Sequence, residues 1–211
     1  MYSNVNLAAP IGALALLGTG FLLLINALVL LESVIVRKRM RARLVFIAMI
    51  VIGGFYLMTM LIFSFASHDV LLARGAEKHF CELDCHLAYS VVDTQPTGTG
   101  RWQLRQTIIT IKTRFDETTI APWRGNGLLS PNGRALALVD DRGTTYGPVA
   151  QSGTPLTTPL RPGESYTTDI VFDLPPNTKP VALLFNEDAW ETHFVIGHEN
   201  SLLHGKTKFQ I

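Results

Sequence analysis

Charge is almost missing from one quarter of this 211-residue chain: Ala9 to Val36 carries a single charged residue, Glu32, and Leu44 to Phe65 carries none. Glu32 stands at the far end of the first stretch, so no acid or base deep within either one suggests a proton or ion path. Met1 to Pro10 has no Lys or Arg, and the apolar run that follows far exceeds the h-region of a secretory signal, so a retained helix is expected rather than a cleaved leader. The chain also lacks a glycine-rich phosphate loop. Ser165 and Ser201 stand outside any nucleophile-elbow context. No internal repeat or low-complexity segment occurs, and the acids are scattered over turns; Asp140-Asp141 and Glu187-Asp188 suit solvated turns. These absences leave no catalytic residue to nominate, and a non-enzymatic chain is expected.

What is present begins with length. Each apolar stretch exceeds the roughly 20 residues that cross a hydrocarbon core of about 30 Å, and in lipid only a helix satisfies its own backbone. Two transmembrane helices, about 9–36 and 44–65, are therefore expected within a hairpin of residues 1–66. The loop 37–43 holds Arg37, Lys38, Arg39, Arg41 and Arg43. Short loops rich in Lys and Arg stay cytoplasmic, which places both chain ends outside and gives the loop anionic lipid as its local partner. Gly12, Ala15, Gly18 and Thr19 offer a small-residue face on the first helix, and Gly53 with Gly54 on the second, for packing on each other or on further membrane subunits. Asn26, mid-helix, is a candidate interface residue because an amide there wants a partner. Removing the loop cations and Glu32 from the 18 basic and 17 acidic residues leaves 13 and 16 from Ser67 onward. An acidic remainder argues against a nucleic-acid partner.

After a linker at 67–78 the pattern changes to short segments of period two. Strands are expected at 85–93, 102–115, 135–141, 165–174, 181–186, 191–196 and 206–211. The clearest is the fourth, where Thr168, Ile170, Phe172 and Leu174 alternate with Thr167, Asp169, Val171 and Asp173. Turn signals separate them, among them Pro131-Asn132-Gly133, Asp141-Arg142-Gly143, Pro162-Gly163 and Pro175-Pro176-Asn177. Seven short strands between such turns predict an all-β sandwich over 79–211.

The order Arg114-Phe115, then Leu138-Val139-Asp140-Asp141-Arg142-Gly143-Thr144-Thr145-Tyr146, then Leu160-Arg161-Pro162-Gly163-Glu164, then Ile170-Val171-Phe172-Asp173-Leu174-Pro175 resembles the telokin-like, immunoglobulin-fold ectodomains of bacterial membrane proteins and lipoproteins. The resemblance covers roughly residues 103–184. It implies an immunoglobulin-like fold tethered outside the cytoplasm of a bacterial cell, with no catalytic residues to carry over. That family is usually tethered by one segment rather than a hairpin, and its pattern includes neither the segment around Cys81 and Cys85 nor the His-rich end.

The sharpest local feature is His79-Phe80-Cys81-Glu82-Leu83-Asp84-Cys85-His86, which holds both cysteines and two of the six histidines. An oxidising compartment favours a Cys81–Cys85 disulfide. Residues four apart in a strand lie about 13 Å from one another, whereas a bridge needs Cα atoms within about 7 Å, so the segment must turn. Thiolate and imidazole ligands alternatively suit copper or zinc. A Cys-x-x-x-Cys loop beside a β-domain on a two-helix anchor is similar to the dinuclear copper site of cytochrome oxidase subunit II, although that family's next His and Met correspond here to Tyr89 and Val92. Covalent haem attachment, usually Cys-x-x-Cys-His, is a third possibility, with Cys81, Cys85 and His86 one residue wider. His193, His198 and His204 near the end are expected as surface or capping residues. Trp190 is a candidate interface anchor or a buried sandwich residue. The expectation is thus a membrane-anchored accessory or protein-interaction module, with a copper or c-type haem electron-transfer protein as the alternative.

Overall fold

The computed structural model describes residues 2–6, 8–81, 86–99 and 104–211. They divide into two units. One comprises Val5–His68 and Trp190–Gly205, the other Met1–Asn4, Asp69–Ala189 and Lys206–Ile211.

The first unit is built on α1 (Ala8–Ile35) and α2 (Arg39–Ala66), each of 28 residues and each long and apolar enough to cross a membrane. At about 1.5 Å per residue each is about 42 Å long. The turn between them is tighter than the seven-residue loop expected. Lys38 N–H bonds to Ser33 O (2.8 Å) and Arg37 N–H to Val34 O (3.1 Å), with Arg37 at φ 55°, the paired bonds of a Schellman end. That motif stops α1 within two residues, so Arg39, Arg41 and Arg43 belong to the first turns of α2. Arg41 pairs with Glu32 across the turn at 3.4 Å.

The small residues are used differently from the expectation. A Cβ at Gly18, Gly53 or Gly54 would meet nothing within 4 Å, whereas one at Gly12 would fall 2.2 Å from Ile196 O. Gly12 therefore admits the backbone of the distant segment Trp190–Gly205 rather than a helix. Residues 191–196, expected as a strand, form instead a 3-10 helix at Trp190–Phe194 followed by turns. The cause is that their backbone is engaged locally and by the helices: the Tyr56 hydroxyl donates to Phe194 O at 2.5 Å, and Val5 bridges His198.

The second unit contains two mostly antiparallel sheets. Chain order gives β1 (Tyr2–Ser3), β2 (Val70–Leu72), β3 (Lys78–Phe80), β4 (Leu87–Thr99), β5 (Arg105–Phe115), β6 (Arg134–Asp140), β7 (Thr145–Tyr146), β8 (Ala150–Gly153), β9 (Ser165–Leu174), β10 (Pro180–Glu187) and β11 (Thr207–Gln210). One sheet runs β1-β3-β4-β5-β9-β8 and the other β2-β11-β10-β6-β7. Inward-facing residues of both sheets form one core, including Tyr89, Ile109, Ile111, Phe115, Ile170 and Phe172 from the first and Leu72, Leu138, Leu183, Phe185 and Phe209 from the second. The alternation along β9 is as expected: Thr168, Ile170, Phe172 and Leu174 are buried. The stretch expected as a linker carries β2, which lies parallel to β11 and seals the core with Leu72.

Lys78 is the unexpected core residue. It is fully buried, and its ammonium donates to Phe185 O (2.6 Å), Asn186 Oδ1 (3.4 Å) and Thr207 O (3.2 Å), all on the opposite sheet or at its edge. Phe80 lies 5.0 Å beneath it. A buried cation is tolerable only when its donors are matched in this way.

Candidate functional site

The outer face of the first sheet gathers the chemistry that the sequence scatters. On β3, Lys78 and Phe80 face the core, so the period of two turns Glu77, His79 and Cys81 the other way. Register then places His79 opposite Ala88, and Ala88 opposite Arg114. Because the middle residue is a buried alanine, long side chains from β3 and from the end of β5 close over it.

Arg114 is the hub. Its Nε and Nη2 donate to the two Glu77 oxygens, both at 2.8 Å, a bidentate geometry. Nη2 also lies 3.2 Å from Asp116 Oδ2, and Nη1 lies 3.5 Å from Glu117 Oε2. Asp116 caps the short 3-10 helix Glu117–Thr119, accepting from Thr118 N–H (3.0 Å) and Thr118 Oγ1 (2.7 Å). His79 Nε2 is 2.9 Å from Asp116 Oδ2. Burial would raise the Asp116 carboxyl, but donors from Thr118, His79 and Arg114 outweigh it and hold the group well below the usual carboxylate range. Glu77 is likewise lowered, chiefly by the hydrogen bonds from Arg114, and Arg114 is raised by the same contact. An ionised Asp116 requires His79 Nε2 to carry the proton. Nδ1 is then a buried nitrogen with no hydrogen-bond partner among the described residues.

His86 is held by the same turn. Its Nδ1 meets Thr119 Oγ1, whose own proton goes to Asp116 O at 2.9 Å. The ring stacks on Phe115 with centroids 5.5 Å apart, and His86 O accepts from Asp116 N–H at 2.7 Å. Cys81 is anchored on its other side by the chain start: Ser3 Oγ lies 3.1 Å from Cys81 Sγ, and Asn4 Oδ1 accepts from Cys81 N–H at 2.9 Å. Glu82 to Cys85 lie outside the described residues, and with them the second half of the Cys81–Cys85 expectation. Of the four residues singled out in sequence, His79, Cys81 and His86 thus flank one built cluster, and Glu77, Arg114 and Asp116 complete it.

Glu77, His79 and Asp116 offer ligand atoms within 4.8 Å of one another, a set able to surround a cation. Arg114 already supplies positive charge to both carboxylates, so a metal there would have to displace or neutralise that guanidinium. For iron ligation, His86 would have to use Nε2, since Nδ1 is held by Thr119, and the residue is buried. The positions corresponding to the remaining copper ligands are Tyr89, fully buried in the core, and Val92, partly exposed. The arrangement suits a hydrogen-bonded brace in which one guanidinium ties two carboxylates and His79 together across β3 and the end of β5. His193, His198 and His204 belong to the helical unit.

In the helical unit, Asn26 donates to Leu22 O of its own helix at 2.8 Å. Trp190 opens the 3-10 helix and is 74% exposed, so it is not a buried sandwich residue. An apolar groove of about 460 Å³ is lined by residues including Ala15, Leu22, Val51, Phe55, Tyr56 and Ile196. Comparison with protein-family models, curated proteins and solved structures finds no match to the chain.

The three-strand brace was hidden in sequence because Glu77, Arg114 and Asp116 are ordinary charged residues. Alternation of Glu77, His79 and Cys81 is the one signal that placed any of them together.

Proposed function

We propose that this chain is a two-pass protein of the bacterial cytoplasmic membrane, with both ends outside the cytoplasm, that presents an immunoglobulin-like domain as a protein-interaction or accessory module. The observation that carries the proposal is the pairing of Tyr2–Ser3, before α1, with Lys78–Phe80, after α2. A chain that leaves and rejoins one sheet across a hairpin of two membrane-length helices crosses the bilayer twice and returns to the same side. The basic turn then lies inside, as Lys and Arg favour.

The strand orders support the immunoglobulin-like part: β4-β5-β9-β8 corresponds to A-B-E-D, and β11-β10-β6-β7 to G-F-C-C′. The telokin-like resemblance points the same way. A Cys81–Cys85 bridge is supported by the lack of a free cysteine among the described residues, and suits an oxidising exterior. Attached to membrane helices with largely uncovered apolar faces, such a domain serves as a small subunit of a larger membrane complex.

Purification in mild detergent tests the proposal. Co-purification with other transmembrane chains, from a colourless protein without free thiols, is expected. A haem spectrum, or stoichiometric copper lost in Cys81→Ser, would replace it with the electron-transfer alternative.

A further inference from the structure

The segment Trp190–Gly205 is arranged inside out. The polar run at its centre is buried: His198, Glu199, Asn200 and Ser201 are all at most 5% exposed. Its large apolar residues are exposed: Trp190 74%, Phe194 49%, Leu202 55% and Leu203 62%. A loop bathed in water adopts the opposite arrangement, because burying polar groups and exposing apolar ones both cost free energy there.

Most of these polar groups find partners within the segment itself, although Glu199 Oε2 and His204 Nε2 have no hydrogen-bond partner among the described residues. Asn200 N–H donates to His198 Nδ1 at 3.0 Å and Asn200 Nδ2 to Thr192 Oγ1 at 2.9 Å. Ser201 Oγ donates to Val195 O. Main-chain bonds run from His198 to Val195 (3.2 Å), Ser201 to His198 (2.9 Å) and His204 to Ser201 (3.1 Å). Non-helical backbone at membrane depth is tolerated only when so engaged.

Depth follows from the partners. Gly12, against Ile196, lies four residues, about 6 Å, inside the start of α1, and Tyr56, bonded to Phe194 O, lies ten residues, about 15 Å, inside the end of α2. Helices about 42 Å long overhang a hydrocarbon core of about 30 Å by about 6 Å at each end. Gly12 therefore lies at the outer edge of that core and Tyr56 about 9 Å below it, which puts Phe194–Ile196 in its outer part. Glu191 and His193 are exposed, which suits the polar headgroup level, and Trp190 suits the aromatic belt there.

We infer that Trp190–Gly205 is a membrane-embedded collar whose Trp190, Phe194, Leu202 and Leu203 face the acyl chains of the outer leaflet. It continues the lipid-facing surface of the hairpin, and it rests on the proposed two-pass anchor. The bilayer is thus contacted at two places far apart in the chain.

The test uses the full chain with Trp102→Phe and Trp123→Phe, leaving Trp190 as sole fluorophore, in vesicles of phosphatidylcholine and phosphatidylglycerol brominated near the headgroup or near mid-chain. Trp190 emission should be blue-shifted and lost more to the shallow bromines than to the deep ones. A second chain, with Trp190→Phe added and Phe21→Trp on α1, should be quenched most by the deep bromines. Quenching of the Phe21→Trp reporter with Trp190 untouched would overturn the collar and leave the anchor standing. No quenching of either would overturn the anchor itself. If the Trp-reduced chain does not fold, a nitroxide at Leu203→Cys gives the same decision: greater accessibility to oxygen than to a water-soluble nickel chelate is expected, and the reverse contradicts the collar.

Discussion

Arg114 and Lys78 solve the same problem, a cation removed from water, on opposite faces of one short strand region. Arg114 is balanced by carboxylates, and removing it would leave Glu77 and Asp116 facing each other without their shared donor. Arg114→Ala should destabilise the β-unit by about 2–3 kcal/mol, the scale of hydrogen bonds to charged groups, measured by denaturant titration in detergent. Lys78 is balanced by neutral carbonyls. Lys78→Met keeps volume but strips donors from Phe185 O and Thr207 O, and a loss of about 2–4 kcal/mol is expected because buried acceptors are left unmet. The acid limb of stability follows from the carboxylates. Asp116 and Glu77 are lowered in the fold, so their contribution is fully present above the ordinary carboxylate range near pH 4 and is lost as pH falls toward their folded values. Melting temperature should drop below about pH 4, and the drop should be shallower in Asp116→Asn; an unchanged slope would remove Asp116 from this role.

Legibility differed sharply between elements, and for physical reasons. The helices and β9 declare themselves because one pattern governs most of the element: a long apolar run within each 28-residue helix, strict alternation for the strand. β2 and β3 are three-residue strands, too short for a period to show, and they exist because β11 and β4 offer edges to them. Residues 191–196 alternate like a strand, yet the hairpin takes their backbone through Gly12 and Tyr56. Gly12 is where this element is most vulnerable. Gly12→Ala puts a methyl 2.2 Å from Ile196 O, backbone that cannot yield cheaply. The variant should release Trp190–Gly205, read as new protease cleavage within that segment while both helices stay membrane-bound. Tyr56→Phe, losing only the bond to Phe194 O, should loosen it less, by about 0.5–1.5 kcal/mol.

Across the whole molecule, the chain crosses between its two units more than once: β1 precedes the helices, β2 follows them, and Trp190–Gly205 returns to the helical unit before β11 closes the second sheet. The composition already placed anchor and domain side by side, but the interleaving was not legible, because pairing partners distant in sequence leave no periodic trace. Everything proposed about compartment, disulfide and collar depends on which side of the bilayer the basic turn occupies. The most direct test is Lys38→Cys in intact cells. A membrane-impermeant maleimide should fail to label it until the cytoplasmic membrane is permeabilised, whereas labelling in intact cells would place the turn outside and contradict the account.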